Sequence, residues 1–301
     1  MRLKIFLLLL VKFLRVVYSL RVKLLLKKKR LYYKDALIFA YKQILDKGGL
    51  GINDMIKTQS ILEPNKTGIR KIQGTVIGSL KDGKMETLYT PPVGYEVILD
   101  LLSNFEKAFN LMTDENDWKQ VDPLIQFSIL HHQFESIHPF YDGNRRTGRI
   151  LIILFLVLSK VIKYPVLFLS GYILKNKNEY YKNLNQVTET GDYTNLVIYF
   201  LDCIIEQSIE SKKSVEEIWE HYNYIKNVLK EHHMDSYSFD MLDYLFTKPL
   251  YTISDIEENT DRHRNTCSKY LNNLFKAGLL QKRKYKKENI FYNPKFLEIL
   301  S

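Results

Sequence analysis

Cysteine is scarce, with only Cys203 and Cys267 in a chain of 301 residues. The two lack metal-ligand spacing and cannot supply a framework of bridges. A zinc ribbon and a disulfide-stapled secreted domain are therefore excluded, and the simplest reading is two buried, reduced thiols in a cytoplasmic protein. Long uninterrupted apolar runs are missing from the N-terminus. Ile5 to Val11 is too short for a leader and no small-residue cleavage site follows it. Lys12, Arg15, Arg21 and Lys23 break every window of about 20 residues that a bilayer crossing needs. Acid is absent from residues 1–30, which hold ten Lys or Arg, and the rest of the chain carries 34 basic against 34 acidic residues. The net charge of +10 thus resides in that first segment, and the body of the chain is formally neutral. A basic amphipathic helix on an anionic membrane is one reading of residues 1–30. The commoner arrangement is a helix packed by its leucines with Lys and Arg in water, so membrane association is not expected. Strand–helix alternation is lacking too, which argues against a parallel sheet.

What the chain does have is concentrated in residues 138–149, His-Pro-Phe-Tyr-Asp-Gly-Asn-Arg-Arg-Thr-Gly-Arg. An apolar run, Ile150 to Leu158, follows without a breaker, so Gly143-Asn144 opens a buried helix whose free N–H groups and positive dipole end suit an anion. His138 suits a general base near neutral pH. Asp142 suits a Mg²⁺ ligand against phosphate oxygens. Arg146 and Arg149, three apart, share a helix face as forks for terminal phosphates.

This stretch resembles the signature of the Fic family, His-x-Phe-x-(Asp/Glu)-Gly-Asn-Gly-Arg-x-x-Arg, whose members mostly transfer AMP from ATP onto protein hydroxyls. Phe134-Glu135-Ser136-Ile137, Ile69-Arg70-Lys71-Ile72-Gln73 and Tyr89-Thr90-Pro91-Pro92 look like the family's approach to the catalytic loop, its lead-in and its flap. The resemblance covers roughly residues 31–205. It implies ATP and Mg²⁺, with phosphates over Gly143, Asn144, Arg145, Arg146, Thr147, Gly148 and Arg149, the metal on Asp142 and His138 as base. Asn144 would fix the loop and touch the α-phosphate, Arg146 would neutralise the β-phosphate and Arg149 would set the γ-phosphate. Phe140 reads as an anchor of the loop. The target protein would dock along the flap, residues 74–92, by strand addition, and self-modification is open to the same chemistry.

Arg145 departs from the signature, standing where the family has its second glycine. If that position requires positive φ, an arginine there carries roughly 1 to 3 kcal/mol of strain, and Arg145→Gly should raise activity. If the backbone there is ordinary helix, the guanidinium is tolerated. Relatives often carry an inhibitory helix, (Ser/Thr)-x-x-x-Glu-(Gly/Asn), ahead of the core. The nearest counterpart is Ser19 to Leu24, with Lys23 in the glutamate position.

Two other constellations are weaker. Gly78 to Lys84 has phosphate-loop spacing, but Met85 replaces the Ser or Thr and no helix follows. His131, Glu135 and His138 lack the zincin order and a fourth ligand. Both read as structural.

Periodicity and caps predict helices over 33–47, 53–62, 97–112, 123–137, 144–159 and 193–208, with a hairpin turning at Lys81-Asp82-Gly83. A charged helical connector follows to Glu231. The last seventy residues predict three short helices, the third ending at Gly278, and two strands, 279–285 and 289–292. That pattern resembles a winged helix-turn-helix. Arg262, His263, Arg264 and Lys269 would lie on its recognition helix, and Lys282, Arg283, Lys284, Lys286 and Lys287 on its wing, an arrangement suited to duplex DNA. The expected organisation is mainly α: a basic segment 1–30, which the resemblance makes a possible remnant of the inhibitory helix, a Fic-type helical domain with a β-hairpin flap at 31–205, a connector at 206–234 and a small α+β winged-helix domain at 235–301. The function expected is protein adenylyltransfer. The alternatives are a catalytically weakened nucleotide-binding regulator acting on DNA, or a different Fic-type transfer, including removal of AMP.

Overall fold

The computed structural model describes residues 24–71, 77–81, 84–111, 116–231, 239–285 and 288–300. Ser19 to Lys23, the turn residues Asp82 and Gly83, and Lys286 and Lys287 lie outside them. The chain forms two compact units, residues 24–208 and residues 209 onward, on a mainly helical plan.

In the first unit, helix α1 (Leu24–Lys47) buries Ala36, Leu37, Ala40 and Ile44 at helical spacing. It begins inside the basic segment and so crosses the expected boundary at 31. Helix α2 (Ile52–Leu62) buries Met55, Thr58, Gln59 and Leu62. Strands β1 (Ile77–Lys81) and β2 (Lys84–Tyr89) pair antiparallel as the expected hairpin. Helix α3 (Tyr95–Phe109) turns Ile98, Leu102, Phe105 and Phe109 inward, and the short α4 (Asn116–Gln120) precedes α5 (Pro123–Ile137). Pro123 fits the first turn of α5, where no N–H is needed, and the Asp122 carboxylate accepts from Leu124 N–H at 2.8 Å.

Helix α6 (Asn144–Leu158) is the axis of the unit: every residue from Ile150 to Leu156 is buried. A helix apolar on all sides has to be surrounded, and α1, α2 and α5 all pack on it. It packs closely on α5 at Gly148, where an added Cβ would lie 2.7 Å from Glu135 Oε1 and 3.0 Å from Phe134 Cδ1. Helices α7 (Leu169–Lys175) and α8 (Lys177–Thr190) were not expected from the sequence. Polar residues dominate α8, and only Tyr180, Asn183 and Val187 turn inward.

Helix α9 (Thr194–Glu231) runs without a break through the segments expected as a core helix and a connector, because no Gly or Pro interrupts it. Its part beyond 209 belongs to the second unit. There Ile218, Ile225 and Leu229 join the core of α10 (Phe239–Leu245), β3 (Leu250–Tyr251), α11 (Ile253–Asn259), α12 (Arg264–Lys276), β4 (Gln281–Tyr285), β5 (Glu288–Tyr292) and α13 (Pro294–Ile299). The sheet order is β3-β5-β4, antiparallel throughout. Strand β3, two residues long, and α13 carry too short a pattern to be read from sequence. Thr252 and Asp255 form a capping box on α11. Among the described residues no helix is long and apolar enough to cross a membrane.

Candidate active site

The loop between α5 and α6 is shaped by three local devices. Helix α5 stops at His138, which caps it in the left-handed conformation, φ 46° and ψ 56°, an uncommon backbone for a residue with a Cβ. Phe140 is fully buried against Phe134 and bridges to Ile69. Asn144 closes the loop: its Oδ1 accepts from Phe140 N–H at 2.9 Å and its Nδ2 donates to Phe140 carbonyl at 2.8 Å. The expected anchor and the expected loop brace are therefore both in place.

Gly143 then starts α6 at φ 84°, a value that favours glycine, and a Cβ there would also meet Glu63 Cγ at 3.3 Å. The first N–H groups of α6 have no partner within the helix and face outward from its positive end. Asp142 Oδ1 accepts from Gly143 N–H at 2.7 Å, while Oδ2 lies 3.7 Å from Lys66 Nζ.

Arg145 occupies the second position of α6 with no positive φ, so the strain expected there is absent. Arginine is compatible with ordinary right-handed helix, and the gain expected of Arg145→Gly loses its premise. Its guanidinium instead lies 5.4 Å from the ring of Tyr181 on α8. Arg146 and Arg149 share the face turned towards Tyr33, whose hydroxyl feels both charges while burial raises it to about 12. They are not equivalent forks. Arg146 donates to the Glu63 carboxylate and the Leu62 carbonyl, whereas Arg149 meets the Tyr33 hydroxyl and keeps its Nε buried without a partner of its own. Thr147 and Gly148 are both buried, Gly148 against Glu135 and Phe134 of α5, and Thr147 Oγ1 has no hydrogen-bond partner.

Beside His138 a small cleft of about 50 Å³ is lined by Tyr89, Glu135, Arg145, Tyr180, Tyr181 and Asn185 among others. Burial lowers the imidazole of His138 to about 4, with Arg70 adding to the effect, so the ring is neutral at pH 7. Burial raises Glu135 to about 7, opposed by Arg149 and Arg145. His131 is lowered to about 3 by burial, and its Nε2 pairs with Tyr180 Oη at 2.7 Å, a core role rather than a ligand's.

These shifts have opposite linkage signs. Imidazoles held below their unfolded value cost stability as pH falls from about 6.5 towards 4, because the unfolded chain binds protons first. The raised Glu135 contributes stability that is full below about 4.5 and lost as pH rises through about 7. Two imidazoles outweigh one carboxyl, so the Tm of the first unit is expected to fall as pH drops from about 6.5 to 4.5. A calorimetric series flat across that window would contradict the buried neutral pair.

Sequence reasoning missed Glu63, Lys66 and Gln59, which converge on the loop from the end of α2. Gln59 Nε2 donates to the carbonyls of Asp142 at 2.9 Å and Lys66 at 2.7 Å. Only the position of Glu63 just before Pro64, at a helix end, hinted at a role.

A family model described as Fic/DOC family matches residues 52–156, and one described as Protein adenylyltransferase SoFic-like, C-terminal domain, matches residues 220–296. The chain is 27% identical over 147 residues to Protein adenylyltransferase fic-1 of Caenorhabditis elegans, covering 49% of this chain and 27% of that protein. It is also 27% identical over 154 residues to Protein adenylyltransferase Fic of Aedes aegypti, covering 50% and 28%. The chain thus spans little more than a quarter of the length of these relatives. Among solved structures, a Fic family protein from Desulfovibrio desulfuricans G20 is similar in fold at TM-score 0.50 and 16% identity, over 97% of this chain and 88% of that one. A Fic domain containing signaling protein from Bacteroides thetaiotaomicron reaches TM-score 0.51 at 17% identity, over 68% and 80%. The first unit is accordingly built around a Fic/DOC domain with its loop at the head of a buried helix. Residues 52–156 are thus similar to the Fic/DOC family and residues 220–296 to the C-terminal domain of SoFic-like protein adenylyltransferases.

Proposed function

We propose that the first unit transfers AMP from ATP to a Ser, Thr or Tyr hydroxyl of a protein, this chain included. The observation that carries the reading is a neutral imidazole, His138, fixed at the lip of a helix N-terminus that opens towards an anion. The phosphate chain fits the residues present. Arg149 Nε is a buried donor without a partner of its own, the kind of group a phosphate oxygen would satisfy. Asp142, its carboxylate 43% exposed, is a hard oxygen donor suited to Mg²⁺, which would supply charge neutralisation on the phosphates. His138 takes the proton of the hydroxyl as its oxygen bonds to the α-phosphorus, the bond to the bridging oxygen breaks, and pyrophosphate leaves. The aromatic cleft beside His138, with Tyr181 under Arg145, suits a stacked base. The hairpin β1–β2 has two strands that pair only with each other among the described residues, which leaves an edge for an extended target segment. Incubation with ATP and Mg²⁺ followed by intact mass, with His138→Ala as control, tests the reading.

Arg146 must exchange a partner before it meets a phosphate. Replacing Glu63 with Gln removes the competing carboxylate, so ATP is expected to bind about three- to tenfold more tightly. Calorimetric titration without a protein target checks this. Weaker binding would show that Glu63 holds Arg146 ready instead.

For the second unit we propose a winged-helix module that contacts duplex DNA. Strand β4 is exposed along its whole length and carries Lys282, Arg283 and Lys284, and Arg262 and Lys269 are exposed at and on α12. Three of the residues expected to face DNA are engaged within the unit, Lys282 among them, its Nζ lying 4.6 Å from the Phe275 ring and 3.5 Å from Asn272 Oδ1. The side chain of His263 caps α12, and Arg264 bonds Ser254 at 2.8 Å and Glu257 at 3.2 Å. A fragment used to test the reading should begin at 209, not 235, because Ile218, Ile225 and Leu229 belong to its core. Its DNA complex is expected in a mobility shift at low salt and to weaken steeply as salt rises. No retention at low ionic strength would turn the reading towards a protein partner.

A further inference from the structure

Arg70 is a buried cation, 1% exposed, whose bonded partners are all backbone carbonyls. Its Nε donates to His138 carbonyl at 2.8 Å, and one terminal nitrogen donates to Ile137 carbonyl at 3.3 Å and to Pro92 carbonyl. A guanidinium removed from water without an acid is tolerated only where its donors are matched, and here they meet the negative end of α5. The backbone around it follows the loop as an added strand would. Ile69 bridges Phe140, Arg70 N–H donates to Pro139 carbonyl at 2.9 Å, and Lys71 N–H donates to Tyr141 Oη at 2.9 Å.

One side chain therefore grips two places that the proposed reaction needs in register. The first is the carbonyl of His138, the residue held at φ 46°, a conformation that persists only when its surroundings fix it. The second is Pro92, where the chain leaves the hairpin. Tyr89, the last residue of β2, makes a second tie, its hydroxyl lying against Ser136 on the last turn of α5. We propose that Arg70 is a positioning residue that sets the place of the His138 imidazole and locks it to the exit of the flap, so that a target segment held on the hairpin presents its hydroxyl to the base in register. The inference rests on the transfer reading above. It concerns a side chain that touches neither nucleotide nor target.

Arg70→Lys keeps the charge and loses the fork. A displacement of about 1 Å between base and hydroxyl costs on the order of 100-fold. Arg70→Lys is therefore expected to lower kcat for AMP incorporation by about 30- to 100-fold, with ATP affinity by calorimetric titration unchanged within about twofold. A rate within about threefold of the natural protein, or ATP affinity falling in step with the rate, overturns the proposal. Hydrogen exchange of the full chain tests it without reference to activity. In the unaltered protein the segments around Pro92 and His138 are expected to open together, with protection equal within about tenfold, and Arg70→Lys should raise exchange in both. Should the unaltered protein transfer no AMP, the transfer reading fails, and the exchange data still decide the tie. Exchange raised at the loop but not at Pro92, or unequal protection in the unaltered protein, overturns it.

Discussion

His138→Ala should abolish AMP incorporation, with a loss of about 10² to 10⁴-fold, while ATP affinity stays within about twofold of the natural protein. The asymmetry follows from placement. The imidazole lies at the end of α5, whereas the groups that would hold phosphate are N–H donors and guanidinia of α6. His138 also occupies left-handed backbone, which alanine adopts at a cost of roughly 1 kcal/mol. His138→Asn separates the two effects, because asparagine tolerates that conformation and cannot take the proton. Both variants should be inactive by intact mass. Activity retained in the Asn variant would mean that the backbone, not the base, had been lost, and an unchanged rate in both would sink the assignment.

The second large effect is on stability. Asn144→Ala removes both partners of the buried Phe140 peptide groups, one donor and one acceptor. Each orphaned group costs about 1 to 3 kcal/mol. The two together cost about 2 to 6 kcal/mol, and for a domain of this size 1 kcal/mol corresponds to roughly 2 to 4 °C in Tm, so a fall of about 4 to 24 °C is expected in a thermal scan of the full chain. Asn144→Asp should not rescue it, since a carboxylate can accept from Phe140 N–H but cannot donate to its carbonyl. A Tm lowered by less than about 2 °C in the alanine variant would show that the loop is held elsewhere, with Ile69 and Arg70 the next place to look.

The long helices could be read from the chain because their signals are local. Pro123 after Asp122, the run from Ile150 to Leu156 and the capping box at Thr252 each declare an element within a few residues. Helix α8 gave no such signal, since its inward Tyr180 and Asn183 find their partners on α5 and α9, far along the chain. The loop residues were legible in the same way, as one unbroken stretch from His138 to Arg149. Glu63 and Arg70 were not. Their roles depend on partners 83 and 68 positions away, a separation that no periodicity encodes. Arg145 shows the reverse error. Its departure from a glycine pattern suggested strain, and the backbone at the start of α6 is ordinary helix.

Glu63 on Arg146 and Lys66 near Asp142 give the loop its own counterions before any nucleotide arrives. A bare cationic site gathers small anions from solution and must release them to bind, so its affinity tracks the buffer. On the transfer reading, nucleotide binding would instead be an internal exchange, a phosphate taking the place of Glu63 on Arg146. On the same reading, an anion reaching Arg146 has first to displace Glu63, which sets a threshold that a weakly held small anion would not pass.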